Sequence, residues 1–169
     1  ENPEILNFLH NYTDLGYGSY ILFMLIGTAL TILIQSSSAT MALTLVMCAN
    51  GWIGYDIAAS MVLGENIGTT ITANLAAMVA NTTAKRAAFA HFLFNLFGVM
   101  WVLAIFPLFL GWVAQLSIHL GIGNPFNNVE SVPVALSLFH TCFNVANVFL
   151  LIWFTKVIAQ LVSRIIKSK

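Results

Sequence analysis

Charge is what this sequence has least of. Its 169 residues include six Lys and Arg and six Asp and Glu, only 7% of the chain, where a soluble domain carries about a quarter. So few charges cannot cover a water-facing surface, which excludes an ordinary soluble domain. The basic residues are confined to Lys85, Arg86, Lys156, Arg164, Lys167 and Lys169. With no basic face there is no nucleic-acid footprint. Cysteine is scarce as well. Cys48 and Cys142 sit within apolar runs and read as buried thiols, not as a disulfide framework. No close His/Cys/Asp/Glu group suggests zinc. The nucleophile-elbow, zincin, Walker and dinucleotide patterns are missing too, so no catalytic residue, enzyme activity or organic cofactor is expected. The first residues are acidic (Glu1, Glu4, Asp14), without the basic start of a signal peptide.

Apolar residues fill the space left by charge. They make up 59% of the sequence, and mean hydropathy is +0.89. The expected fold class is an all-α membrane protein that combines spanning helices with re-entrant or broken ones. Residues 1–16 form an N-terminal interfacial segment, 17–80 a broken-helix region, 81–155 spanning helices and 156–169 a basic tail. Lengths drive this division. Crossing the hydrocarbon takes about 20 helical residues, at about 1.5 Å each. The runs 39–49, 52–63 and 71–80 are too short. Each is expected to be a half-helix meeting a partner at mid-membrane, as a re-entrant hairpin or as a broken span. Asn50-Gly51 between the first two reads as a turn. Residues 87–106 can span, Pro107 should break or kink the chain, and 108–120 form an oblique or interfacial helix. A loop over 121–132 precedes a second span, 133–154, which opens on Pro133. The positive-inside rule puts a Lys85-Arg86 loop and the basic tail in the cytoplasm, C-terminus included.

Two polar interruptions carry the chemistry. The first is Gln35-Ser36-Ser37-Ser38, followed by Ala39-Thr40. Unsatisfied polar groups cost several kcal/mol each in hydrocarbon. Four in a row exceed what interhelical hydrogen bonding usually requires, so a binding role is favoured. The second is Gly64-Glu65-Asn66-Ile67-Gly68-Thr69-Thr70. Its GxxxG spacing alone would mean close helix packing. Glu65, however, is an intramembrane carboxylate, a functional-site hypothesis by default. Carboxylate, amide and hydroxyl oxygens here suit sodium, and N–H groups at the start of a following half-helix would suit an anion. No Lys or Arg lies in the membrane before Lys156. A bound anion would therefore rely on helix N-termini, hydroxyls, amides and co-bound cations, as in broken-helix transporters. A repeated H-x-x-F-N pattern places His91 with Asn95, and His140 with Asn144, at i and i+4. These four, with Thr40, are secondary candidates, and polar glue between two helices explains them equally well.

The pairing of QSSS with G-x-N-I-G-T-T, followed by Ala90-His91-Phe92-Leu93-Phe94-Asn95, resembles the sodium/phosphate cotransporter family. The similarity covers residues 27–98, with an echo at 140–144. The resemblance implies two inverted repeats, each with one QSSS at the substrate site, and a bacterial cytoplasmic-membrane location. It implies phosphate contacts from Gln35, Ser36, Ser37, Ser38, Asn66, Thr69 and Thr70, and sodium contacts from Gln35, Ser38, Glu65, Asn66 and Thr69. The implied partners are phosphate, sodium as coupling ion, the lipid bilayer, the other repeat and a PhoU-like cytoplasmic domain. This sequence has a single QSSS and looks like the second repeat, half of a site. A carrier or channel for another small ion, or a non-transporting membrane scaffold, are the alternative readings.

Overall fold

The computed structural model describes residues 3–167, with the side chains of residues 5, 6, 9 and 10 left out. Among the described residues there are eight α-helices and no strand: α1 Pro3–Tyr12, α2 Tyr17–Ile34, α3 Ser37–Ala49, α4 Tyr55–Ala77, α5 Thr82–Ala104, α6 Phe106–His119, α7 Val132–Leu151 and α8 Thr155–Ile165. Glu1 and Lys169 lie outside the described residues. Three stretches are long and apolar enough to cross a membrane: Tyr17–Ile34, Thr82–Ala104 and Val129–Ile165.

The centre of the fold is the contact of α2 with α4, which glycine makes possible. A Cβ at Gly64 would collide with the carbonyl of Met24, and one at Gly27 with the carbonyl of Met61. A Cβ at Gly68 would lie 2.7 Å from Thr31 Cβ. The backbones are thus in direct contact, and Thr28 Oγ1 donates to Gly64 O at 3.0 Å between them. This is small-residue packing, which replaces hydrophobic drive where lipid is as apolar as the protein.

The same contacts fix direction. Numbers rise together along α2 and α4 (Gly27 with Met61, Thr31 with Gly68), so the two run parallel. The turn 50–54, with Gly51 at φ 70, joins the end of α3 to the start of α4 and makes these antiparallel. Therefore α2 and α3 form a helical hairpin. Of the two alternatives left open by the sequence, a hairpin or a broken span, the structure has the hairpin. Its tip is residues 35–36. At about 1.5 Å per residue, the 13-residue α3 is about 20 Å long, while the 23-residue α4 is about 35 Å. The tip thus lies about one turn beyond Gly68, which faces Thr31, and stops short of the end of α4.

One expectation fails here. The sequence Gly64–Thr70 was expected to break a helix, with 52–63 and 71–80 as separate halves. Instead α4 runs unbroken through it. The polar side chains turn back onto their own helix: Asn66 Nδ2 donates to Val62 O at 2.9 Å, Thr69 Oγ1 to Glu65 O at 2.8 Å and Thr70 Oγ1 to Ile67 O at 2.8 Å. Back-bonding satisfies the side chains without opening the backbone, and both glycines serve packing against α2. No free N–H groups are exposed at this motif.

The expected Lys85-Arg86 loop is also corrected. Asn81 Oδ1 accepts from Ala84 N at 2.9 Å and caps α5, which begins at Thr82, so both cations sit on the first turns of a helix. Pro107 occupies the first turn of α6, where a missing N–H costs nothing, and it ends α5 as expected. Phe139 of α7 meets Phe106 and Phe109 of α6 edge to face, at 6.1 and 5.6 Å. Between α5 and α7 lies Asn147, fully buried. Its Nδ2 donates to Phe94 O at 3.0 Å and its Oδ1 accepts from Trp101 Nε1 at 3.3 Å. Over the span expected at 133–154, α7 passes at Ile152–Phe154 into a 3-10 turn. After it, α8 packs on α5, and Arg86 Nε donates to Ile166 O at 2.9 Å.

Candidate functional site

The hairpin tip presents two helix ends at one place. Gln35 takes the left-handed conformation, φ 56, and its N–H closes α2 on Thr31 O at 2.8 Å. Ser36 is extended and caps α3, its Oγ accepting from Ala39 N at 3.2 Å. The last carbonyls of α2 and the first N–H groups of α3 have no intrahelical partners. A partial negative end and a partial positive end thus meet within a few residues, suited to a cation and an anion respectively.

Beside the tip is a cavity of about 180 Å³ lined by Ser37, Glu65, Asn66, Thr69, His91, Asn95, His140 and Asn144. Four elements contribute: α3, α4, α5 and α7. Glu65 is 3% exposed and its Oε1 lies 3.2 Å from Thr44 Oγ1. No Lys or Arg bridges it among the described residues. His140 Nε2 lies 3.2 Å from Asn66 Oδ1. Since Asn66 Nδ2 is committed to Val62 O, its oxygen faces the ring, and Nε2–H is the donor. Asn95 and Asn144 repeat that arrangement: Nδ2 donates to His91 O at 3.1 Å and to His140 O at 2.8 Å. Among the described residues four other cavities are larger; the largest two, of about 510 and 430 Å³, have mostly apolar walls.

Of the residues singled out in the sequence, Ser37, Glu65, Asn66 and Thr69 meet at the cavity. So do His91, Asn95, His140 and Asn144, for which glue was an equal reading. Gln35 and Ser38 are exposed at the tip and Ser36 is half-buried as the cap. Thr40 is fully buried behind it, its Oγ1 3.0 Å from Ser36 O and 3.3 Å from Thr31 Oγ1. Thr70 is not brought to the cavity; it is 1% exposed and bonded within α4. Sequence reasoning missed Thr44, the nearest partner of Glu65. Its signal was there, one helical turn after Thr40 on the buried face of α3.

The fold is thus a set of apolar helices with a polar-tipped hairpin beside a small polar cavity. The chain belongs to the Na+/Pi-cotransporter family, whose profile matches residues 6–124. Among its relatives is the Uncharacterized protein YqeW of Bacillus subtilis, 36% identical over 146 residues, 86% of this chain and 44% of that protein. Sodium-dependent phosphate transport protein 2C of Rattus norvegicus is 43% identical over 89 residues, 50% of this chain and 15% of that protein. The protein named "Putative inorganic phosphate export protein YjbB" of Salmonella typhimurium is 28% identical over 152 residues, 90% of this chain and 26% of that protein. The chain thus spans less than half the length of these relatives. No solved structure matches it.

Proposed function

We propose that the chain is one half of a carrier that moves inorganic phosphate across a bacterial cytoplasmic membrane, driven by sodium. The observation that carries this reading is the hairpin tip: the Ser36-capped N-terminus of α3, with Ser37 and Ser38 on its first turn, stands next to a cavity lined by Glu65 in a protein of this family. Phosphate docks on the backbone N–H groups and hydroxyls of Ser36, Ser37 and Ser38 and on the side-chain amide of Gln35. Asn66 and Thr69 stand across the cavity from them. Sodium, the coupling ion and a transported substrate, takes oxygens from Gln35, Ser38, Glu65, Asn66 and Thr69 and offsets the anion's charge. Thr70 acts only through the packing of α4. Gln35 and Ser38 are exposed at the tip; the other repeat covers them and completes the site. Lys85 and Arg86, on the first turns of α5, lie beside the end of α8, where Arg86 Nε meets Ile166 O; the positive-inside rule makes that end cytoplasmic, as it would be with a PhoU-like domain beyond the tail.

The name of the Salmonella relative favours a second reading, in which net flux runs outward. Uptake of labelled phosphate by the full-length protein in proteoliposomes separates the possibilities. Uptake under an inward sodium gradient, absent with potassium and competed by arsenate but not sulfate, supports sodium-driven import. Flux that ignores sodium points to an exporter or a carrier of another ion, and no flux to a scaffold.

A further inference from the structure

The cavity of about 510 Å³ is a groove between the end of α4 and the start of α5. Ile71, Leu75 and Met78 of α4 form one wall, and Phe89 and Phe92 of α5 the other, each set at helical spacing. The two phenyl rings stack, with centroids 6.2 Å apart and planes 20° off parallel, which makes that wall flat. Asn74, also in the lining, holds the helices together: its Nδ2 donates to Thr70 O at 2.7 Å and to Ala88 O at 2.9 Å. At about 1.5 Å per residue, the stripe from Ile71 to Met78 is about 10 Å long. Leu75 and Met78 are exposed, so the groove opens outward, away from the polar cavity beside the hairpin tip.

The groove is apolar along its length and cationic at one end. Lys85, on the first turn of α5, is the one charged residue in its lining. Arg86 follows it and ties Ile166, which also lines the groove, to the same place. The sequence has no Asp or Glu from 66 to 129 or after 130, so neither helix brings a carboxylate to this charge. The cavity of about 430 Å³, on the other side of α5, is an internal comparison. Its walls are as apolar, but no charged residue lines it.

We propose that the α4–α5 groove binds an anionic phospholipid of the bilayer, with an acyl chain along Leu75, Met78, Phe89 and Phe92 and the headgroup phosphate at Lys85. Basic pockets between membrane helices on the cytoplasmic side suit such headgroups, and the positive-inside rule puts Lys85 on that side. Lysine can lay its stem along an apolar wall while its ammonium reaches the interface. A zwitterionic lipid fills the apolar part equally well but carries its own cation to Lys85. A free phosphate ion leaves the apolar walls unfilled. The bound lipid joins the end of α8, through Ile166, to α4 and α5. The site needs neither sodium nor transported phosphate, so its failure would leave the transport reading untouched.

The test measures binding of labelled phosphatidylglycerol to the purified full-length protein in detergent, with phosphatidylcholine and inorganic phosphate as competitors. Unlabelled phosphatidylglycerol should displace the label, phosphatidylcholine far less well, and inorganic phosphate not at all. Lys85→Gln should weaken binding about fivefold, the weight of one cation against anionic lipid, and Lys85→Arg should keep most of it. Met78→Asp sets a carboxylate in the apolar wall at an exposed position and should weaken binding at least as much. Lys156→Gln removes a cation outside the groove lining and should bind as the wild type does. Equal affinity for the two lipids overturns the proposal. So does wild-type binding by Lys85→Gln or Met78→Asp, an equal loss in Lys156→Gln, or displacement by inorganic phosphate. If Met78→Asp does not fold, Lys85→Gln against Lys156→Gln decides, since neither lysine is buried.

Discussion

Replacing Gly64 by alanine should loosen the hairpin more than any other single-methyl change. The added Cβ would meet the carbonyl of Met24 and come 2.8 Å from Thr28 N. Both are backbone atoms and cannot rotate away, so α2 must shift as a body. Overpacking a tight interior costs about 1–3 kcal/mol, and a backbone clash falls at the top of that range. Alanine returns about 0.5–1 kcal/mol of helix propensity, leaving a net loss of about 2 kcal/mol. The natural control is Gly111 in α6, where nothing lies within 4 Å of an added Cβ. There the same substitution should be neutral or stabilising by about 0.5–1 kcal/mol. Thermal unfolding of the full-length protein in detergent compares the two. Because α2 carries the tip along α4, Gly64→Ala should also lower phosphate uptake. Equal stability of Gly64→Ala and Gly111→Ala would refute the close α2–α4 contact, and with it the placement of the tip.

Asn147→Ala leaves Trp101 Nε1 without its acceptor and removes the side-chain link to Phe94 O across the α5–α7 seam, and should destabilise by about 1–3 kcal/mol, read by the same unfolding assay, without changing sodium affinity. Arg86→Ala removes the bond to Ile166 O and should free α8, worth about 1 kcal/mol. Limited proteolysis should then cut the 155–167 segment faster while the helices before it stay protected.

Run lengths and polar breaks made much of the fold legible. The QSSS stretch told where α2 ends and α3 begins, because four polar side chains without helical neighbours to satisfy them do open a helix. The same logic failed at 64–70. There the polar residues are Asn and Thr at positions from which they can reach a carbonyl three or four residues back, and glycine marks a neighbour's approach and not a break. Composition could not separate the two cases, since the difference lies in the presence of α2. At the site, Ser37, Glu65, Asn66 and Thr69 were found from local pattern. The meeting of both H-x-x-F-N motifs at the same cavity was not legible, because it depends on how α5 and α7 cross α4. Thr70 belongs to the same motif, but its hydroxyl is bonded to Ile67 O and buried within the packing of α4, outside the cavity lining.

The central claim is that the hairpin tip binds phosphate, and Ser37→Ala tests it most directly. Ser37 lines the cavity, while the Ser36 cap does not depend on it, so the variant should insert and fold. Sodium-driven phosphate uptake by the full-length protein in proteoliposomes should fall to a small fraction of the wild-type rate, with unfolding temperature unchanged. Wild-type uptake by Ser37→Ala would contradict the account and move the substrate away from the tip.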